Sequence, residues 1–281
     1  MSDDAITEGT LAAARRPGFA SRPAGWDALA AELARWAESG RTATFWWRDD
    51  DAESASPELD RLIQLAQGFA LPASLAVIPA SLEGSLVSAV GAEPSLVVLQ
   101  HGFRHQNHAP PGAKKCELGG ERRRNVVLAE LAQGRDQLAE AFQDRFRPIL
   151  VPPWNRIDPG LIPLLPEAGY AGLSTSGPRP VVADRAELIQ VNTHIDPVDW
   201  SRRRFLGLER ALEPAIRHLE ARRTGAADAA EPTGLLTHHR VHDADTWAFI
   251  EGFLERTLGH RAVRWLGADE AFSTAQGRRL G

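Results

Sequence analysis

The sequence predicts a parallel α/β fold for most of the chain. Short runs of β-branched and aromatic residues alternate with longer segments in which apolar residues recur at helical spacing. This alternation is typical of strands that are joined by helices in one parallel sheet. Every polar cluster in the sequence follows a predicted strand, and the functional sites of parallel barrels lie at the carboxyl ends of their strands. We therefore expect a functional site at this end of the sheet.

The composition favours a soluble globular protein. The chain has 281 residues, of which 43% are hydrophobic and 25% are charged, and its formal net charge is −5. This negative charge argues against nucleic acid or an anionic membrane as the main partner. The single cysteine, Cys116, excludes a disulfide within the chain, and no apolar stretch is long enough to span a membrane. Residues 1–26 lack the apolar segment of a secretory signal, so we expect a cytoplasmic protein.

Two regions are predicted from composition and periodicity. Residues 1–24 are rich in Ala, Gly, Pro and Arg and show no periodicity, which predicts a loose N-terminal leader. Residues 25–281 contain no internal repeat and no clear boundary, so we predict that they form a single domain.

The first elements are predicted from periodicity and from residues typical of their ends. Apolar residues between positions 26 and 37 fall on one helical stripe. Residues 42–47 are β-branched and aromatic and predict the first strand, which ends in Arg48-Asp49-Asp50-Asp51. Ser56 and Pro57 are typical of an N-cap and of the first position of the next helix. A strand at 74–78, a short helix at 81–90 and a strand at 96–99 follow.

The second half continues the alternation. A long helix is predicted over residues 122–146, and a strand at 148–151 stops before a Pro-Pro pair. Residues 159–168 have a helical pattern that Pro163 and Pro166 make irregular. The later strands are predicted at 170–174, 188–192, 235–237 and 262–266, and the later helices at 205–219, at 247–258 and from 269.

Three histidines within eight residues follow the third predicted strand. His101, His105 and His108 are interleaved with Arg104 and Asn107, a composition that suits a metal site better than a core. His101 and His105 are four residues apart, so a helix would place both imidazoles on one face, and a loop could also do so. Two histidines and one aspartate leave a position open for water, as in catalytic zinc sites.

Three adjacent aspartates, Asp49, Asp50 and Asp51, end the first predicted strand. Successive residues of a strand face opposite ways and neighbouring carboxylates repel, so at most two of the three can share one site. One could bind a metal while a neighbour acts as a general base. They could equally cap the next helix or lie in solvent.

A second histidine cluster, His238, His239 and His242, follows the strand that begins at residue 235. A histidine at a strand end facing a metal suits a general acid that protonates a leaving amine. The cluster could equally be a loop that enters the next helix. Adjacent side chains point apart, so only one of His238 and His239 should be catalytic. Two isolated histidines are expected at the protein surface, His218 and His260.

Several tryptophans and arginines lie beside these clusters. Tryptophan faces pack well against sugar rings, but large aromatic residues also fill cores, and we favour a core position for Trp46 or Trp47. The arginines at 122–124, 202–204 and 222–223 are expected on solvated helix faces.

The order of these clusters resembles the five motifs of the NodB-homology polysaccharide deacetylases, which form the fourth carbohydrate-esterase family. The resemblance extends over roughly residues 42–266. It implies a distorted parallel (β/α) barrel of about seven strands, a single catalytic domain over residues 25–281, and a divalent metal ion of the zinc type, Zn2+. The matching motifs are Asp50-Asp51-Ala52, His101-x-x-x-His105, Pro153-Trp154-Asn155, Asp196-x-x-Asp199-Trp200 and Leu236-x-His238.

The resemblance also implies roles for the motif residues. Asp51 would bind the metal together with His101 and His105. Asp50 would be the base that activates water, and His238 would be the acid, oriented by Asp199. The reaction would be hydrolysis of an N-acetyl group on an amino sugar. The remaining candidates would contact the substrate, namely Trp154, Asn155, Arg48, His108 and Trp200.

Two departures from the family pattern leave alternatives open. The family's first motif ends in Asp-Asp-Gly, whereas here Ala52 takes the last place and a third aspartate precedes the pair. A shift of one residue would make Asp49 the base and Asp50 the ligand. Val151 stands where the family has an arginine that pairs with the catalytic aspartate. Two other arginines could substitute for it, Arg48 and Arg156.

The leading hypothesis is therefore a metal-dependent hydrolase that removes an N-acyl group from an amino sugar or a glycan precursor. Its partner would be a carbohydrate or another N-acylated small molecule. One alternative is a metal hydrolase of a different small amide, ester or formamide. Another is a catalytically silent barrel that binds a glycan, suggested by the missing arginine at Val151.

Overall fold

The structure is a computed structural model that describes residues 24–179 and 188–274. The predicted leader, residues 1–24, lies outside the described residues except for Ala24. Among the described helices, none has the length and apolar character needed to cross a membrane.

Ten strands are described, and eight of them form one parallel sheet. The strands are β1 (Ala43–Ala52), β2 (Ala73–Val77), β3 (Leu96–His101), β4 (Phe146–Val151), β5 (Gly172–Leu173), β6 (Ile189–Gln190), β7 (Val198–Asp199), β8 (Arg204–Phe205), β9 (Thr233–Thr237) and β10 (Val263–Leu266). Strands β7 and β8 form a separate antiparallel pair.

The sheet curls toward closure around β1. Its order is β10-β1-β2-β3-β4-β5-β6, and β9 also pairs with β1. A single parallel bridge, from Ile195 to Leu235, joins the segment after β6 to β9. The sheet is thus closed by one isolated bridge rather than by a full ladder of hydrogen bonds. This is a distorted parallel (β/α) barrel, so the prediction of that fold is confirmed.

Seven α-helices surround the sheet in the described part of the chain. They are α1 (Gly25–Glu38), α2 (Pro57–Gly68), α3 (Gly84–Ala92), α4 (Arg124–Phe142), α5 (Leu208–Thr224), α6 (Ala244–Leu258) and α7 (Ala268–Thr274). Ser56 caps α2 as predicted, because its hydroxyl accepts the backbone N–H of Leu59 at 3.1 Å. The irregular segment predicted at 159–168 contains only a short 3-10 turn, Ile162–Leu164.

Alternation along β1 separates an outer core from an inner core. Phe45 and Trp47 pack outward under the helices, whereas Trp46 points into the barrel. Both tryptophans are buried, as the sequence predicted. Inside, Phe272 of α7 meets the ring of Trp46 edge-on at 5.8 Å. Helix α7 thus fills the barrel at the amino ends of its strands and leaves the carboxyl ends free.

Strand β1 runs through the three aspartates to Ala52, and Arg48 and Asp49 pair with β9 and are fully buried. Two expectations from the sequence are wrong. Arg222, expected on a solvated helix face, is only 1% exposed. His218, expected at the surface, is only 3% exposed because α5 turns it toward the sheet. There its Nδ1 contacts the Thr233 hydroxyl at 3.0 Å.

Candidate active site

The end of β1 decides where the three aspartates point. The pairing of β1 with β2 shifts register between Asp49 and Ala52, and Asp51 has a φ of +67°. An irregularity of this kind re-aims the side chains beside it. The side chains of Asp50 and Asp51 therefore both line one cavity although they are adjacent in sequence.

Asp49 belongs to a different set of contacts on the other side of the strand. Its carboxylate accepts hydrogen bonds from the Thr237 hydroxyl at 2.7 Å and from the His239 backbone N–H at 3.0 Å, and it also bonds the His239 ring. Burial raises the pKa of the Asp49 carboxyl, but the pairing with His239 outweighs it and lowers that pKa. The geometry thus separates Asp49 from the Asp50 and Asp51 pair in the cavity.

Asp51, His101 and His105 form a group that could hold a metal ion. Oδ1 of Asp51 lies 3.1 Å from Nε2 of His101 and 3.3 Å from Nε2 of His105. Nδ1 of His101 lies 3.0 Å from the Val151 carbonyl oxygen. A ring N–H donated to that carbonyl leaves the Nε2 lone pair directed at Asp51, which is the usual arrangement around zinc.

The electrostatics of this group also fit a cation. Oδ1 of Asp51 is buried and has no hydrogen-bond partner in the described part of the chain. Burial raises the pKa of the Asp51 carboxyl, but His101 lowers it far below its ordinary value. Burial lowers the pKa of His101, but the carboxylates of Asp50 and Asp51 outweigh burial, so the pKa of His101 is raised overall. Two carboxylates thus favour positive charge between these imidazoles, so the residues fit a zinc-type ion.

A second group of potential ligands lies beside the start of β9, where the segment after β6 meets that strand. The group consists of His194, His218 and Glu231. The two Nε2 atoms are 3.8 and 3.6 Å from the Glu231 carboxylate. Nδ1 of His194 accepts the Gly234 backbone N–H at 3.0 Å, so neutral His194 carries its proton on Nε2. A protonated nitrogen has no lone pair for a metal. We therefore infer that these three side chains stabilise the contact between β9 and the segment after β6.

Arg48 holds Asp50 in place. Its Nε and Nη2 donate to the two Asp50 carboxylate oxygens at 2.8 and 2.9 Å, which is a bidentate pair. The remaining donors bind the Ser174 hydroxyl at 2.6 Å and Oδ1 of Asn155 at 2.7 Å. Arg48 is fully buried and does not line the cavity, which differs from the substrate contact expected of it. It instead pairs with Asp50 as the arginine missing at Val151 does in the family.

His238 lies at the end of β9 and lines the same cavity. Its neighbours differ from those expected, because Asp199 does not contact it. Asp199 instead accepts the Ser201 hydroxyl at 2.6 Å and the Ser201 backbone N–H at 3.0 Å, since it stands in the tight turn between β7 and β8. The ring that packs against His238 is Trp200, at 4.5 Å and nearly perpendicular.

Two side chains fix the backbone on either side of the His238 carbonyl. Nε2 of His242 accepts the His238 backbone N–H at 2.9 Å, and Asp49 accepts the His239 backbone N–H. The indole of Trp200 is held in turn by Asp196, whose carboxylate accepts its N–H at 2.8 Å. His238 is therefore positioned by its main chain and by an aromatic neighbour.

The predicted wall residues line the cavity in part. Trp154 packs on His105 with ring centroids 4.4 Å apart, and Asn155 follows it in the same short turn. His105, Trp154 and Asn155 all have φ between +54° and +55°, a conformation that costs energy for residues other than glycine. His108 is half-buried outside the cavity lining, because its segment is tied to Cys116 by a backbone hydrogen bond of 2.9 Å.

The cavity has a volume of about 740 Å³. Several of its lining residues were not proposed as site residues from the sequence, because they stand on loops without any periodic or motif signal. Asp196 could have been found, since it opens the fourth motif. The others are Asn107, Lys115, Arg156, Arg203 and Val241.

No protein-family model and no curated protein sequence matches the chain. Solved structures do. A candidate polysaccharide deacetylase from Mycobacterium smegmatis is 17% identical over 86% of this chain and 93% of its own, with a TM-score of 0.60. A mutant of a pseudoenzyme of the fourth carbohydrate-esterase family, with restored enzymatic activity, is 11% identical over 83% of this chain and 68% of its own, with a TM-score of 0.55.

A mutant of a peptidoglycan deacetylase from Bacillus subtilis is 11% identical over 84% of this chain and 93% of its own, with a TM-score of 0.52. Identities this low establish similarity of fold. The resemblance predicted from the five motifs is confirmed at that level, and the chain has the fold of the polysaccharide deacetylases of the fourth carbohydrate-esterase family.

Proposed function

We propose that the protein is a metal-dependent hydrolase that removes an N-acetyl or other N-acyl group from an amino sugar or a glycan precursor. One observation carries this proposal. The metal-binding group Asp51, His101 and His105 shares a single cavity with a carboxylate, Asp50, and an imidazole, His238. These are the groups that hydrolysis of an amide requires, namely a Lewis acid, a base and an acid.

Each side chain has a defined task in this scheme. Asp51, His101 and His105 would hold a zinc-type ion, which would supply a Lewis acid for activation of water and for polarisation of a carbonyl oxygen. Asp50 accepts the proton of the attacking water on a carboxylate oxygen. The two hydrogen bonds from Arg48 keep that carboxylate in position at the cavity. His238 donates a proton to the departing amine.

Aromatic side chains support the choice of a sugar as substrate. Trp154 and Trp200 both line the cavity, and Trp200 is 47% exposed although it is large and apolar. An exposed indole beside a catalytic group offers a flat apolar face to a pyranose ring. The relatives with solved structures that are named above include a peptidoglycan deacetylase, which supports the same choice.

The proposal is tested by measuring acetate release from N-acetylated amino sugars by the zinc-loaded protein. Asp50→Asn should keep zinc and lose activity by a factor of about 10²–10⁴, the usual contribution of a general base. The Asp51→Asn protein should fail to bind zinc. If Asp50→Asn loses zinc, Asp50 is the ligand and the assigned register is incorrect. Absence of acetate release over a broad panel, with zinc bound, would contradict the proposal.

The alternatives from the sequence are affected differently. The silent barrel was suggested by the missing arginine at Val151, and the contact between Arg48 and Asp50 removes that reason. A hydrolase of another amide, ester or formamide is separated by comparing acetate, formate and ammonia release on one panel. The cytoplasmic location and the single catalytic domain over residues 25–281 stay predictions.

A further inference from the structure

The mouth of the candidate active site carries an excess of positive charge. Three basic side chains line the cavity, Lys115, Arg156 and Arg203. None of the three forms an ion pair with any carboxylate in the described residues 24–179 and 188–274. Unpaired cations around a concave site attract anions and raise their local concentration.

The carboxylates of the cavity do not neutralise this charge. Asp50 is paired with Arg48, and Asp51 faces two imidazoles that fit a divalent ion. Asp196 accepts the Trp200 indole N–H and the Val198 backbone N–H. Arg48 and a divalent ion together balance these three negative charges. The positive charge of the three rim side chains is therefore left for a ligand.

Lys115 and Arg156 are held together on one wall. Nη1 of Arg156 donates to the Lys115 carbonyl oxygen at 2.9 Å, and Nζ of Lys115 lies 5.7 Å from the Trp154 ring centroid. Oδ1 of Asn107 accepts the Cys116 backbone N–H at 2.9 Å, which fixes the loop directly after Lys115. The two cations are thus positioned beside a candidate sugar-binding aromatic face rather than spread over the surface.

Arg203 stands on the other wall, in the turn between β7 and β8. Its φ is +51°, and its backbone N–H donates to the Asp199 carbonyl oxygen at 2.7 Å. Glycine or asparagine adopts this conformation at lower energy than arginine does. An arginine at this position therefore makes the turn less stable than a glycine would. Its side chain lines the cavity near Trp200.

We propose that the substrate carries an anionic group, a phosphate or a carboxylate, which Lys115, Arg156 and Arg203 bind at the mouth of the cavity while the N-acyl group enters it. This inference rests on the proposed deacetylase function and specifies its substrate class. Each wall then combines an aromatic face for the sugar with a cation for the acidic substituent.

The experiment compares N-acetylglucosamine with its 1-phosphate, its 6-phosphate and its 3-O-lactyl ether. The zinc-loaded protein should show a lower KM for at least one anionic member than for the neutral sugar. Raising the ionic strength from about 0.01 to 0.15 M shortens the Debye length from about 30 to about 8 Å, so only the anionic preference should weaken. The phosphate and lactyl arms identify which acid is recognised.

Matched variants separate this site from general charge effects. The double variant Lys115→Gln/Arg203→Gln should raise KM for the anionic substrate about three- to tenfold, with little change for the neutral sugar. The control Lys114→Gln/Arg204→Gln removes the same charge from adjacent residues that do not line the cavity, and should leave both KM values unchanged. Equal effects of the two double variants would overturn the proposal.

Binding to Asp50→Asn, measured by calorimetry, distinguishes failure of this inference from failure of the proposed function. Anionic sugar that binds tightly without acetate release by the wild-type protein supports the anion site and contradicts the deacetylase. Neutral and anionic sugars that are deacetylated with equal kcat/KM contradict the anion site and support the deacetylase.

Discussion

Replacing Arg48 with methionine should destabilise the fold and disable Asp50 at the same time. The side chain of Asp50 is 2% exposed, and both of its oxygens are paired with the Arg48 guanidinium. Methionine fills a similar volume but leaves Asp50 as a buried carboxylate without a counter-ion. Both carboxylate oxygens then lose the hydrogen bonds that hold them in position, and a buried polar group without partners is costly.

The expected loss of stability is about 3–5 kcal/mol, the usual cost of removing one partner of a buried ion pair. Loss of the bonds from Arg48 to Ser174 and Asn155 adds to it. The double variant Arg48→Met/Asp50→Leu should recover part of this free energy, because it removes the unpaired charge. Arg48→Lys keeps the charge but cannot donate two parallel hydrogen bonds, so its stability should lie between that of the wild type and that of Arg48→Met.

The stability is measured by urea unfolding, and the function of Asp50 by the rate of acetate release. At neutral pH the Arg48→Met protein should lose a factor of about 10²–10⁴ in kcat, as expected for a general base that is no longer held in position. Arg156→Met is the control, since Arg156 does not contact Asp50 and its loss should change stability by about 0.5 kcal/mol or less.

Two results would refute this reasoning. One is an Arg48→Met protein that unfolds at the same urea concentration as the wild type. The other is a folded Arg48→Met protein whose kcat equals that of the wild type, since Asp50 would then be held by other groups. Zinc analysis of every variant checks that the metal site is intact.

Three further predictions use other parts of the molecule. Burial lowers the pKa of His242 from 6.5 to about 4. Between these two pKa values the unfolded state binds a proton at His242 that the folded state does not bind. The free energy of unfolding should therefore be highest above pH 6.5 and should fall by up to about 3 kcal/mol as the pH is lowered toward 4. Urea unfolding of His242→Gln should show a correspondingly weaker pH dependence than wild type, and parallel curves would contradict this. Ser56→Ala should lower the unfolding free energy by about 1 kcal/mol, measured in urea, because it removes the cap of α2. Zinc analysis should find no bound metal in His101→Ala and normal metal in His108→Ala, and equal contents would contradict the ligand assignment.

The fold class and the candidate metal-binding group were accessible from the sequence because their signals are local. Helical stripes and β-branched runs report burial along each segment, and they predicted nearly all the described elements within a few residues. Histidines directly after β3 and aspartates at the end of β1 had to meet, because the carboxyl ends of parallel strands lie at one end of a barrel. The five motifs in order then specified which fold the alternation builds.

The tertiary structure alone decided which side chains act together. The register of the aspartates depends on the φ of Asp51, a backbone sign that no pattern of residue types encodes. The partner of Asp50 is Arg48, two residues away, whereas the sequence left both Arg48 and Arg156 open as substitutes for the arginine missing at Val151.

Asp199 was expected beside His238, but the turn of residues 200–203 between β7 and β8 directs its carboxylate to Ser201. Sequence patterns describe which residues are buried and roughly where a strand ends. The direction of a side chain at that end depends on bulges, turns and contacts between segments far apart in the chain, and these are formed only when the barrel closes.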